Sequence, residues 1–387
     1  MSPTADGAAP GTVAFNARLE QARTAGLVPI DLAEADPARA GLSLDAREVE
    51  ALLGASHATA AGPEPAGLTV AREAVASYLA GHGAAIAPDR VLFSRSRDAA
   101  RRLAIAATCE PDDELLVPAP ARRVLDPAGG ALQSVRLATY GLTFDGRWHV
   151  DRRSLRRAIG PRTRALFVGN PAEPTGATVS GDELAFLEEL CEERGLALIG
   201  DEAFLDTALE AGTTVARATR CLAVHVSGLT GICGLSQLGA EWIAVAGPQP
   251  LAASALARLA SHPESAAPPP APVLPAVPAL LARREPFIEA LRARLARNRA
   301  AIATASLREA PWTLQWGGGG PWAVLQINPV QDVTALCLAL LGEGIAVRPG
   351  DLDGLPDSGY LVVSLLPEPR LFVTGLDRLE AHLRGIA

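Results

Sequence analysis

The chain has 387 residues, enough for two domains and a large buried core. Hydrophobic residues make up 49% and charged ones 20%, the balance of a globular protein, and a formal net charge of -8 speaks against nonspecific binding to nucleic acid or an anionic membrane. All 35 basic residues are arginine; the sequence contains no lysine.

The opening stretch MSPTADGAAPGTVAF lacks the basic, apolar and small-residue series of a signal peptide and is expected to be a loose arm. No uninterrupted apolar run is long enough to cross a bilayer, since the richest, VLPAVPALLA, is broken by prolines. Cys109, Cys191, Cys221, Cys233 and Cys337 are scattered without CxxC spacing, which suits buried thiols in a reducing compartment. A cytoplasmic protein is therefore expected.

Short apolar runs then alternate with helical patterns. VLFS (91–94), ELLVP (114–118), SVRLAT (134–139), ALFVG (165–169), ALIG (197–200), LAVHVS (222–227) and WIAVAG (242–247) read as buried strands. Between the fourth and fifth lies SGDELAFLEELCEERG, a helix with a capping box from Ser180 and Glu183 and a closing Gly195. The Arg-rich stretch DRRSLRRAIGPRTR has no interleaved aromatics and reads as a solvated helix face. This alternation predicts an α/β fold with a doubly wound, mostly parallel sheet.

Past residue 260 the texture changes. SHPESAAPPPAPVLPAVP is too rich in proline to continue a helix and is expected to be an ordered crossing or linker. A long Arg-rich helix is expected over ALLARREPFIEALRARLARNRAAIATAS. WAVLQI (322–327), the helix around VTALCLALLGEG, IAVRP (345–349) and YLVVSLL (360–366) then suggest a smaller α+β domain, and the tetraglycine Gly317 to Gly320 a hinge or turn. The expected division is an arm and part of the small domain over 1–45, the large domain over 46–275 and the small C-terminal domain over 276–387.

Three motifs in register carry a resemblance. GNPAEPTGATVSGDEL (169–184) resembles an NPxNPTG turn and its following helix, LIGDEAFLD (198–206) a DE-aromatic strand end, and SGLTGICGLSQLGAEW (227–242) the segment S-x-S-K-x-x-G-L-P-G-x-R-x-G-W. In this order they are similar to the class I/II aminotransferases, fold-type I enzymes that use pyridoxal phosphate. EADPARAGL (34–42) and PAGLTVAREAVASYL (65–79) fit that family's early region, so the resemblance covers most of the chain. It implies a small domain built from both termini and a homodimer with two sites at the subunit interface.

The same resemblance implies that the family's chemistry does not carry over. Gly231 falls on the lysine that forms the Schiff base and shuttles protons, a task that needs a primary amine. The phosphate-binding Arg falls on Gly239, and glycine cannot imitate its bidentate pairing. The phosphate-wrapping turn reads SRSRDAA, with Ser96, Arg97 and Asp98; Asp98 puts a carboxylate where a dianion belongs and Arg97 is the residue that would offset it. Arg122 replaces the stacking aromatic, Glu173 the Asn facing the phenolic oxygen, and Phe204 a tyrosine, while the partner-subunit Tyr falls near Ala61. YLVVSLLPEP has no Arg where the family's strand often has one for the substrate carboxylate. Ser227 and Thr230 remain as pocket positions, and Asp201 matches the aspartate that protonates the pyridine nitrogen, although an Asp there also caps a turn.

Other residues carry less. His225 lies on the apolar strand LAVHVS as a core residue, and His57, His82, His149, His262 and His382 are too far apart for a metal site. Cys233 borders the former pocket, where nearby arginines would lower a thiol's pKa, but a buried inert thiol is the plainer expectation. The leading reading is a non-catalytic relative with no cofactor. It would act as a binding or regulatory module, as a homodimer or as the inactive half of a heterodimer with a competent paralogue. The alternatives are an enzyme that reuses Glu173, Asp201, Arg122 and Arg97 on a small acidic metabolite, and noncovalent capture of pyridoxamine phosphate.

Overall fold

The computed structural model describes residues 10–56, 69–121, 135–209, 212–266, 269–270, 272–308, 310–328, 330, 332–355 and 359–386. In chain order the strands are β1 (Ile30–Asp31), β2 (Val91–Ser94), β3 (Glu114–Ala119), β4 (Arg136–Phe144), β5 (Trp148–Val150), β6 (Thr163–Gly169), β7 (Ala197–Asp201), β8 (Ala223–Gly228), β9 (Glu241–Ala246), β10 (Trp312–Gln315), β11 (Trp322–Ile327), β12 (Ile345–Ala346), β13 (Arg348–Pro349) and β14 (Tyr360–Ser364).

Eight of them form one sheet in the order β2-β9-β8-β7-β6-β3-β4-β5. The pairs from β8 to β4 are parallel, while β9 runs antiparallel to both β2 and β8. Every residue of β2, β7, β8 and β9 is buried, as a sheet covered on both faces requires. Leu103 and Ala104 of the helix Arg97–Thr108 join Ala252, Ala255 and Leu259 of the helix Gln249–Ser261 on one face, against Phe167, Ile199, Val224 and Ile243. On the other face the helix Gly181–Arg194 presents Leu184, Leu187, Leu190 and Cys191. That helix begins with the expected capping box and ends at Gly195, whose φ of 64° needs no Cβ.

The C-terminal part builds a second, antiparallel sheet in the order β10-β11-β14-β13. The N-terminal strand β1 pairs in parallel with β12, so the two ends of the chain meet as the resemblance implied. Doubly wound large sheet and smaller α+β unit both agree with the sequence reading.

Three local expectations are corrected. The proline-rich run does not stay a linker: Val273–Ala282 is a helix with Pro278 inside it. Pro275 sits in the first turn, where an N–H has no intrahelical acceptor, and the burial of Val273, Leu274, Val277, Leu280 and Leu281 offsets the one bond that Pro278 removes. The Arg-rich helix is accordingly shorter, Arg284–Ser306, with Arg283 breaking it from its neighbour. IAVRP is not one strand, because β12 pairs with β1 and β13 with β14. The tetraglycine is a turn, packed on the NPAEPTG segment through Gly319 N donating to the Gly176 carbonyl at 3.0 Å.

Candidate functional site

The carboxyl ends of parallel strands are where an open α/β sheet places its ligands. Here register brings Gly169 beside Asp201 and Asp201 beside Val226, so the ends of β6, β7 and β8 form one rim. Opposite them starts the helix Arg97–Thr108, capped by Ser96, whose Oγ accepts from Ala99 N at 3.1 Å.

Asp201 is committed to arginines. Arg97 donates from Nε to Oδ1 at 3.0 Å and from Nη2 to Oδ1 at 2.8 Å, and Arg101 donates from Nε to Oδ2 at 2.6 Å. Burial works to raise this carboxyl, but the Arg101 and Arg97 guanidiniums outweigh it and hold it at about 2. Arg97 also lies over the Phe204 ring, 5.6 Å from its centroid, and Phe204 packs edge-on against Trp322. Glu173 accepts from Arg348 Nη1 at 2.9 Å, and Arg348 Nε lies 2.8 Å from Asp353 Oδ2. Arg97, Arg101, Glu173 and Asp201 border a cavity of about 10 Å³, no more than the space of one water.

Asp98 does not face this cleft. Its side chain is 73% exposed and bonds Arg101 Nη1 at 2.9 Å, because at the first turn of the helix it points outward. A buried carboxylate near Arg97 is Glu241, the first residue of β9. Its Oε1 accepts from Thr230 Oγ1 at 2.5 Å, and its buried Oε2 has no hydrogen-bond partner. Burial pushes the Glu241 carboxyl up to about 7 against the pull of Thr230 and Arg97.

Gly231 lies in the short helix Leu229–Cys233, and a Cβ built on it would stand 1.7 Å from the Ala203 carbonyl oxygen. At Gly239, φ is 56° and a Cβ would stand 2.6 Å from the Arg95 carbonyl oxygen. The backbone itself has closed over both positions. Ser227 Oγ donates to the Glu202 carbonyl at 3.4 Å, away from the cavity. Arg122, Ala61 and His57 lie outside the described residues.

His225 is a core residue, its Nδ1 2.6 Å from Glu202 Oε2. Glu202 also accepts from Asn170 Nδ2 at 2.8 Å and from Val215 N at 2.9 Å, which ties β6, β7 and β8 together behind the rim. Cys233 is buried, and burial pushes its thiol up to about 12, so the inert reading fits and the activated one does not. Among the described residues no cluster of three or more His, Cys, Asp or Glu could hold a metal, and no helix is long and apolar enough to cross a membrane.

Four participants were not singled out from the sequence: Arg101, Glu241, Arg348 and Asp353. Arg101 follows Arg97 by one helical turn and was within reach of spacing rules. Glu241 stands where G-x-R-x-G-W has its second glycine. Arg348 comes from β13 of the other sheet and Asp353 from the single helical turn Gly350–Asp353 that follows it, and neither has a local signal.

Residues 29–369 match the family model for aminotransferase class I and II. The chain is 34% identical over 158 residues to a protein of Mycobacterium tuberculosis described as a probable N-succinyldiaminopimelate aminotransferase, a stretch covering 40% of this chain and only 39% of that protein. Its fold matches the alanine aminotransferase of Pyrococcus furiosus with a TM-score of 0.85 at 20% identity, over 97% of both chains. It also matches the N-succinyldiaminopimelate aminotransferase of Mycobacterium tuberculosis with a TM-score of 0.80 at 22% identity, over 95% of this chain and 97% of that one.

Proposed function

This chain belongs to the class I and II aminotransferase family, and from that premise we propose that it is a relative which has given up pyridoxal phosphate chemistry and acts by binding. Pyridoxal phosphate needs an amine for its aldehyde, a cationic or N–H-rich cradle for its phosphate, and an acid at its ring nitrogen. The sequence has no lysine, and at Gly231 even a Cβ would overlap the Ala203 carbonyl. At the phosphate end stands the buried Glu241 carboxyl, and at the ring end both oxygens of Asp201 are taken by Arg97 and Arg101. The residues present do not fit the group, and no catalytic step is derived through it. The observation that carries this reading is the closed backbone at Gly231.

The test is direct. The purified chain, incubated with pyridoxal phosphate and then borohydride, is expected to gain no phosphopyridoxyl group on any side chain. An adduct mapped to a side chain, as distinct from the α-amine, would overturn the reading. The partner we propose is a second copy of this chain or a catalytically competent paralogue, in the cytoplasm. Sedimentation of the chain alone and mixed with such a paralogue distinguishes the two.

The alternative, acid–base chemistry on a small acidic metabolite, has one point in its favour: Glu241 at about 7 and Asp201 at about 2 are carboxyls pushed apart by their surroundings. The cavity that Arg97, Arg101, Glu173 and Asp201 border is about 10 Å³, and we favour the binding role.

A further inference from the structure

We propose that Glu241 is a built-in occupant of the ancestral anion cup: its side chain fills the place of the cofactor's phosphate, with Arg97 as the neighbouring counter-charge. The inference rests on the reading that the cleft no longer takes pyridoxal phosphate, and adds what took its place.

Two of the segments that the family resemblance assigns to the cofactor's site, the SRSRDAA turn and the start of SGLTGICGLSQLGAEW, meet at this one residue. Ser94, at the head of the SRSRDAA turn, stands opposite Glu241 across the β2–β9 pair, and Gly228 stands opposite it across β8–β9. Thr230 reaches it with both its hydroxyl and its N–H, at 2.5 and 3.4 Å to Oε1. Gly228 leaves room for it: a Cβ there would lie 2.0 Å from Glu241 Oε2. In the family pattern the same position is glycine, so the carboxylate is an addition to the cup. Glu241 is 2% exposed.

Stability does not explain the residue. A buried carboxyl whose second oxygen finds no donor costs free energy relative to an apolar or amide side chain of the same shape. Its raised proton affinity is the same cost expressed as a titration. What the side chain does supply is volume and negative charge in a site built for an anion, with the Arg97 guanidinium, turned onto Asp201 and Phe204, on its ring side. A dianionic phosphate faces both a filled cup and a like charge. The arrangement therefore rejects phosphorylated ligands as a class, where loss of the lysine alone rejects only the covalent link.

The experiment is calorimetric titration of the full chain with inorganic phosphate and with pyridoxamine 5'-phosphate, which needs no lysine. The parent is expected to bind neither. Glu241→Gly, which restores the family's residue, is expected to bind both at least about tenfold more tightly than the parent, about 1.4 kcal/mol or more. Glu241→Gln keeps the volume without the charge and is expected to stay as silent as the parent. Should Glu241→Gly fail to fold by circular dichroism, Glu241→Ser takes its place in the comparison. A folded Gly or Ser variant with no gain in phosphate affinity overturns the proposal, as does a Gln variant that binds as well as the Gly one. A parent chain that itself captures pyridoxamine 5'-phosphate overturns it too. A covalent adduct with pyridoxal phosphate on a side chain of the parent, by contrast, sinks the reading beneath it.

Discussion

Asp201 carries two buried guanidiniums, those of Arg97 and Arg101, whose side chains are 21% and 10% exposed. Removing one partner of such a cluster leaves charge in low dielectric without its counter-ion, a cost of about 3–5 kcal/mol. Asp201→Ala is expected to lower the unfolding free energy read from urea titration by that amount, and a loss below about 1 kcal/mol would mean that the cluster is solvated. Because this carboxyl is held at about 2 against an ordinary 3.8, its contribution is full above the ordinary value and fades as pH falls toward 2. Glu241 has the opposite sign. Its carboxyl rises from 4.5 to about 7, so the folded state holds the proton more tightly than the unfolded one and stability is lost as pH climbs through that window. The rise corresponds to about 3 kcal/mol. Glu241→Gln is expected to match the parent near pH 4 and to exceed it in melting temperature above pH 7. A constant difference at all pH values would contradict the titration. At this scale the sequence pointed to Gly231, Gly239 and Glu173 because they stand inside motifs with fixed spacing. It read the replacements poorly. Asp98 was taken as the intruding anion since it follows Arg97, yet helical geometry turns it outward, and the buried carboxylate near Arg97 is Glu241, from a strand far later in the chain.

The close packing of the short helix at the cleft rim sets an expectation for reversion at Gly231. The helix Leu229–Cys233 rests so closely on the segment after β7 that Gly231 has no space for a side chain. Gly231→Ala is expected to cost about 1–3 kcal/mol by overpacking, read from urea unfolding. Gly231→Lys is expected to cost at least as much and still to give no borohydride-trapped adduct on that side chain. A stable Lys variant that forms one would show that the backbone opens readily. The elements themselves follow from apolar periodicity and caps, which is why seven of the eight strands of the large sheet and the helix 181–194 could be read directly. The helix Val273–Ala282 could not, because its prolines are local signals and the burial that overrides them is tertiary. β13 was hidden for a related reason: two residues pair only through β14, and with them comes Arg348, opposite Val362 on the strand where the family's arginine was sought.

For the molecule as a whole, the family and the fold are shared with aminotransferases. Arg97–Asp201, Arg101–Asp201 and Arg348–Glu173 knit the large sheet's rim to itself and to the smaller sheet. The central claim is that no side chain here can hold pyridoxal phosphate covalently. Peptide mapping by mass spectrometry after pyridoxal phosphate and borohydride tests it most directly: no phosphopyridoxyl group on any side chain is the predicted result, a group on the α-amine aside, and one mapped to a side chain is the result that contradicts it.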